Sequence, residues 1–238
     1  MLQAVTFDFW GTLYQNADAH EERISLLDDV LREHGHDRSR AELQVALDHV
    51  SSIWDRVWRT EQRSMPIERW LGELLDELDA DLPDESAHAL GWAIERVYLH
   101  IDEPRPVARV KEVLPGLARH YRLGLISDTG LTPGSVLRQV MHRDSLLSLF
   151  EVLTFSDELG KAKPRPEPFL HTINYLDASP GQAAHIGDLP ETDLRGARGV
   201  GMKAVLFLGV SQREDGRPLA DAVFSDYTDL PALLEELA

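Results

Sequence analysis

Residues 4–12 read Ala4-Val5-Thr6-Phe7-Asp8-Phe9-Trp10-Gly11-Thr12. An apolar run closed by an acid and then by a glycine predicts a buried strand over 4–9 that delivers Asp8 to its carboxyl end. Similar short runs recur at 123–127, 152–155, 183–186 and 204–208, with a weaker one at 222–224. Helical patterns lie between and after them, at 135–149, 167–175, 192–198 and 231–237. Near-continuous apolar strands alternating with helices imply an α/β fold, a doubly wound and mostly parallel sheet covered on both faces.

Residues 17–104 break this rhythm. No strand pattern appears there, and apolar residues recur at helical spacing in four stripes. The stripes run from Ile24 to Leu31, from Leu43 to Trp58, from Ile67 to Leu78 and, through Leu90, Ala93 and Ile94, to Val97. The expected organisation is therefore an α/β domain made of 1–16 and 105–238, interrupted by a helical-bundle domain over 17–104. Pro104 and Pro106, set among charged residues, mark the return, because proline discourages helix and stiffens a crossing. The segment 196–201, GARGVG, is read as a helix end and not as a dinucleotide-binding loop.

Composition narrows the function. The 238 residues are 43% hydrophobic and 27% charged, which is globular and excludes disorder and collagen. Forty-one acids against 24 lysines and arginines give a formal charge of −17, a sign that repels nucleic acid and anionic lipid. A small phosphorylated substrate remains compatible, since one cation and a local base reverse the potential inside a cleft. With no cysteine, thiolate nucleophiles, disulfides, iron–sulfur clusters and Cys-based zinc sites are excluded. The first eight residues lack a basic stretch, and the apolar run 204–210 is far short of the roughly 20 residues a membrane span needs, so a cytoplasmic protein without a membrane partner is expected. Oligomeric state is left open.

Four segments carry chemistry, each where a strand should end, and in open parallel sheets that edge is where ligands bind. They are Asp8-Phe9-Trp10-Gly11-Thr12, Ser127-Asp128-Thr129, Lys163-Pro164-Arg165-Pro166, and the run from Gly187 to Asp193. Asp8 before Gly-Thr suits a carboxylate nucleophile, because glycine lets free amides face a ligand; a strand-end acid accepting turn hydrogen bonds has the same pattern. Asp188 and Asp193, five apart, suit a hard cation, although Asp193 or Thr192 also fits a helix N-cap. Lys163 alone reads equally as a solvated loop lysine, and Ser127 as the end of its strand.

Taken together, these segments resemble the haloacid dehalogenase superfamily of hydrolases over nearly the whole chain. That family carries D-x-D-x-T/V after a strand, then a Ser or Thr, then a Lys, then an acidic pair such as GDxxxxD. Here DFWGTL, LISDTG, GKAKPRPEPF and HIGDLPETD stand in those places. The helical insertion after the first motif resembles the helical cap of the subgroup that contains the dehalogenases and many small phosphatases. The resemblance implies a Rossmann-like core and a Mg²⁺-dependent hydrolase acting on a small-molecule phosphate ester through an aspartyl phosphate. It implies Asp8 as nucleophile, with Mg²⁺ held by the Asp8 carboxylate, the Trp10 backbone carbonyl and Asp188, and with Asp193 behind them. Gly11, Thr12, Ser127, Asp128 and Lys163 would hold the phosphate, Lys163 being favoured over Lys161 by the K-P-x-P pattern.

Trp10 departs from the pattern, since family phosphatases place there a second Asp that protonates the leaving group and activates water. Indole has one donor and no acceptor and does neither. The dehalogenase branch carries a tyrosine at this place, but those enzymes use no metal and lack GDxxxxD. Alternatives to the phosphatase are accordingly a 2-haloacid dehalogenase using Asp8, or a phosphate-ester binding protein with weak turnover. Trp54, Trp58, Trp70 and Trp92 are read as core, and Arg56, Arg59 and Arg63 as a solvated face. The ten histidines show no metal-ligand spacing.

Overall fold

The computed structural model describes residues 1–237. Its sheet has six parallel strands, β1 (Ala4–Phe7), β2 (Arg122–Ser127), β3 (Val152–Phe155), β4 (Ala183–Gly187), β5 (Lys203–Phe207) and β6 (Ala222–Phe224), in the order β3-β2-β1-β4-β5-β6. β1 lies at the centre, with Phe7 opposite Leu125 on one side and Ile186 on the other. Every residue of β1 is buried because both faces are covered, which is why it reads as an apolar run without alternation. Val5 and Phe7 enter one apolar layer with Leu125 and Phe207, whereas Ala4 enters the opposite layer with Ile126 and Phe169.

Of the helices between β1 and β2, the first four are α1 (His20–Glu33), α2 (Arg40–Arg56), α3 (Ile67–Glu77) and α4 (Asp84–Glu95). They share an apolar cluster that includes Leu27, Leu47, Trp70 and Ile94. α2 starts at a capping box in which Ser39 and Glu42 satisfy each other's backbone amides, and it ends in a π-helical turn, Val57–Glu61. The remaining helices are α5 (Val110–Leu117), α6 (Gly134–Arg143), α7 (Ser156–Leu159), α8 (Pro166–Tyr175), α9 (Arg195–Val200) and α10 (Leu230–Leu237). No helix among the described residues is long and apolar enough to cross a membrane.

Four sequence expectations shift. The first strand stops at Phe7, two residues early, because Phe9 leaves the sheet and stacks on Tyr14 with centroids 4.4 Å apart. The helix expected over 135–149 ends at Arg143, where Asp144 is drawn to the Tyr14 hydroxyl and Ser145 takes a φ of 61°. In place of a helix over 192–198, a π-helical turn Pro190–Leu194 leads into α9. Val97 lies beyond α4 and packs into the sheet-side layer, not with the four helices.

Candidate active site

In the order 3-2-1-4-5-6 the winding reverses between β1 and β4, and the crevice at their carboxyl ends is where such sheets bind ligands. Asp8 follows β1, its amide donating to the Ile186 carbonyl at 2.9 Å. Ser127 closes β2, Asp188 follows β4, and Lys163 comes from the loop between α7 and α8.

Lys163 joins these segments. It is 2% exposed, and its Nζ donates to Asp8 Oδ1 at 2.5 Å, to Asp193 Oδ1 at 2.7 Å and to the Ile126 carbonyl at 3.0 Å. An ammonium has three protons, and all three are engaged. Burial opposes its charge, but Asp193, Asp8 and Asp128 outweigh that and hold the ammonium well above the ordinary lysine range. Lys161 points into solvent.

The acids differ in environment. Asp193 is fully buried; its Oδ1 also faces His185 Nε2 at 3.2 Å, and its Oδ2 accepts from the Leu189 amide at 3.0 Å. Burial raises its pKa, but Lys163 and His185 prevail and hold the carboxyl well below the usual carboxylate range. Burial raises Asp8 well above that range against the pull of Lys163, with Asp193 and Asp188 adding to the rise. Asp188 is pushed up to about 6, by burial first and then by Asp193. His185, whose Nδ1 faces Thr6 Oγ1 at 2.9 Å, is lowered by burial.

Asp8, Asp188 and Asp193 each offer a ligand oxygen within 4.8 Å of the others. Asp188 Oδ2 accepts from the Ser211 hydroxyl, while its Oδ1 is buried with no hydrogen-bond partner. An orphaned carboxylate oxygen beside two further carboxylates is a donor set that fits a hard divalent cation. Two glycines make the approach possible. A Cβ on Gly11, whose φ is +67°, would stand 2.3 Å from Asp188 Oδ2, and one on Gly187 would stand 2.3 Å from Asp193 Cγ.

The other candidate residues surround this cluster. Thr12 Oγ1 is buried and unpartnered, and its carbonyl accepts from the Tyr227 hydroxyl at 2.9 Å. Ser127 Oγ reaches only the Asp128 carbonyl, at 3.5 Å. Both side-chain oxygens of Asp128 are taken, Oδ1 by the Lys163 amide and Oδ2 by Trp58 Nε1, each at 2.9 Å. Trp10 is half-buried, its indole packed on Phe9 and Tyr98 with centroids 4.9 and 5.7 Å away. Arg59 and Arg63 are paired with Asp55 and Glu61, Trp92 is 58% exposed, and Trp54 stacks on Trp58.

Sequence reasoning missed His185, Ser211 and the tie from Trp58 to Asp128. A signal existed for His185, a lone polar ring in an otherwise apolar strand and three residues before Asp188. Ser211 sits in a loop without any motif.

A family model described as haloacid dehalogenase-like hydrolase matches residues 2–201. The chain belongs to this family. Within the haloacid dehalogenase-like hydrolases it is similar to N-acylneuraminate-9-phosphatase of Rattus norvegicus, at 25% identity over 99% of this chain and 95% of that protein. The protein of the same name from Mus musculus is 28% identical over 54% of this chain and 51% of its own length, so the chain spans about half of that relative. A solved structure, 2-haloacid dehalogenase from Pseudomonas syringae, is similar with a TM-score of 0.75 and 26% identity, covering all of both chains.

Proposed function

We propose that the protein is a Mg²⁺-dependent phosphatase of small phosphorylated metabolites in which Asp8 is the nucleophile. The observation that carries this reading is the trio Asp8, Asp188 and Asp193 within 4.8 Å of one another, with Asp188 Oδ1 left unpartnered. The names of the relatives from rat and mouse agree with phosphoryl chemistry. Asp8, the Trp10 carbonyl and Asp188 would hold the cation. Bound there, Mg²⁺ supplies the positive charge that offsets the incoming phosphate dianion.

This chain's residues do the rest. Lys163 takes one oxygen of Asp8, which leaves the other to attack phosphorus in line and displace the alcohol. The same ammonium opposes the repulsion between carboxylate and phosphate. Thr12, Ser127 and the free amides around Gly11 receive phosphoryl oxygens. Asp193 is a positioning residue, since each of its oxygens is already committed and it fixes both Lys163 and the turn at Leu189. Water then cleaves the aspartyl phosphate. With indole at position 10 neither step has an acid or base there, so the departing alkoxide takes its proton from water, and hydrolysis of the aspartyl phosphate is the slow step for esters whose leaving group departs without acid help.

A 2-haloacid dehalogenase is the second reading, favoured by the aromatic ring at position 10 and by the similarity to the Pseudomonas syringae protein. A screen of phosphate esters and 2-haloacids, with Mg²⁺ and with chelator, decides between them, using Asp8→Asn as the blank. Phosphate release that needs Mg²⁺ and Asp8 is the expected result. Halide release in chelator would replace the phosphatase reading, and tight ester binding without release would mark a binding protein.

A further inference from the structure

The cavity beside Trp10 holds polar groups that the catalytic reading leaves unused. It has a volume of about 360 Å³, with Trp10 and Asp128 on the sheet side and Arg23, Trp54 and Trp70 among the residues from the helices. Four aromatic rings share its lining with polar residues such as Asn16 and Ser51, and Arg23 Nε and Trp54 Nε1 are both buried donors with no hydrogen-bond partner. Arg23 Nη2 reaches Thr132 Oγ1 at 3.3 Å, and the guanidinium lies 5.4 Å from the Tyr98 ring centroid. Asp18 and Glu22 favour its charge, but neither forms an ion pair with it among the described residues. Two arginines of the neighbouring cavity behave differently, Arg59 being paired with Asp55 and Arg213 with Glu191 and Asp215. In a chain of charge −17, a half-buried guanidinium whose Nε is buried without a partner can take a carboxylate from outside.

We propose that Arg23 and Trp54 form a recognition site for a substrate carboxylate, so that the preferred esters are phosphates of small hydroxy acids. This rests on the phosphatase reading for the phosphate end of the molecule. A carboxylate fits better than a second phosphate for two reasons. The planar guanidinium fork matches a planar anion of single charge, and one cation near Asp128, Asp18 and Glu22 does not neutralise a dianion. Both donor atoms are buried, and a low local dielectric strengthens a hydrogen bond made there. The cavity adjoins Trp10 and Asp128, so a compact molecule reaches it while its phosphate lies at Asp8.

The test has a binding arm and a kinetic arm. In the first, the protein, Arg23→Gln and Trp54→Phe are titrated calorimetrically with glycerate and with glycerol, neither of which carries phosphate. Glycerate should bind, glycerol should not, and Arg23→Gln should weaken glycerate by about tenfold or more, as for a lost charge-assisted hydrogen bond, with a smaller loss in Trp54→Phe. Trp54→Phe keeps the ring and reads the site even if Arg23→Gln does not fold. In the second, the ratio of kcat/KM for 3-phosphoglycerate over glycerol 3-phosphate should exceed one in the natural protein and fall about tenfold in Arg23→Gln. Glycerate that binds all three proteins equally, or no better than glycerol, overturns the carboxylate site. Arg23-dependent glycerate binding without turnover of either ester keeps the site and removes the phosphatase reading. Ester turnover without preference for the acid does the reverse.

Discussion

Replacing Lys163 by Met probes the group on which the site is built. Its ammonium contacts Asp8 at 2.5 Å and Asp193 at 2.7 Å in a buried setting, where an effective dielectric of about 20 gives about 6 to 7 kcal/mol of attraction per pair before desolvation is subtracted. Removing one partner of such a pair destabilises a protein by about 3–5 kcal/mol, because the remaining charges stay buried and uncompensated. The same change should lower turnover by about 10²- to 10³-fold, as for other transition-state charge partners. A pH signature accompanies the loss. Lys163 holds Asp193 well below the usual range, so this contribution is present at neutral pH and disappears as pH falls through the depressed value. The gap between the natural protein and Lys163→Met should therefore narrow in acid. Urea unfolding in chelator at two pH values measures it, with Lys161→Met, exposed and unpaired, expected within about 0.5 kcal/mol of the natural protein. A loss at Lys163 below about 1 kcal/mol, or equal to that at Lys161, would refute the reasoning.

Gly11→Ala should abolish or strongly weaken Mg²⁺ binding, because its Cβ collides with Asp188 at a positive φ; calorimetry checks it, and unchanged affinity contradicts it. Asp188, pushed up to about 6, should make Mg²⁺ binding tighten as pH rises from 5 to 7 and release a proton in doing so. Without metal, its protonated form favours the fold at low pH, so the metal-free protein should lose stability as pH climbs through about 6, read by thermal unfolding in chelator. Trp10→Asp should raise turnover of nitrophenyl phosphate while lowering stability by roughly 2 kcal/mol, as packing on Phe9 and Tyr98 is lost; no gain in rate would exonerate Trp10.

The sheet and most strand ends were legible because a strand buried on both faces leaves an apolar run, as in β1 and β5. The segments at Asp8, Ser127 and Asp188 were legible because each follows such a run, whereas Lys163 stands beyond β3 behind α7 and was marked only by its K-P-x-P setting. α5 was not, since Pro115 and Gly116 inside Val110–Leu117 look like punctuation although the helix is carried by the burial of Val110, Leu114 and Leu117. The break after Arg143 was hidden for the opposite reason. Neither glycine nor proline marks it, and its cause is a contact from Tyr14, 130 residues away. Trp54 and Trp58 illustrate the same limit at the site. Their spacing says helix, and only the tertiary arrangement brings Trp58 Nε1 to Asp128 and leaves Trp54 Nε1 without a partner.

The central claim is that Asp8 carries the phosphoryl group. Rapid-quench mass spectrometry of the protein mixed with nitrophenyl phosphate and Mg²⁺ tests it most directly, because the leaving group departs without acid help while the following hydrolysis lacks a base at position 10. One phosphoryl group is expected on the peptide containing Asp8, formed faster than steady-state turnover and missing from Asp8→Asn. Brisk turnover with no adduct on that peptide, or turnover that survives Asp8→Asn, would contradict it.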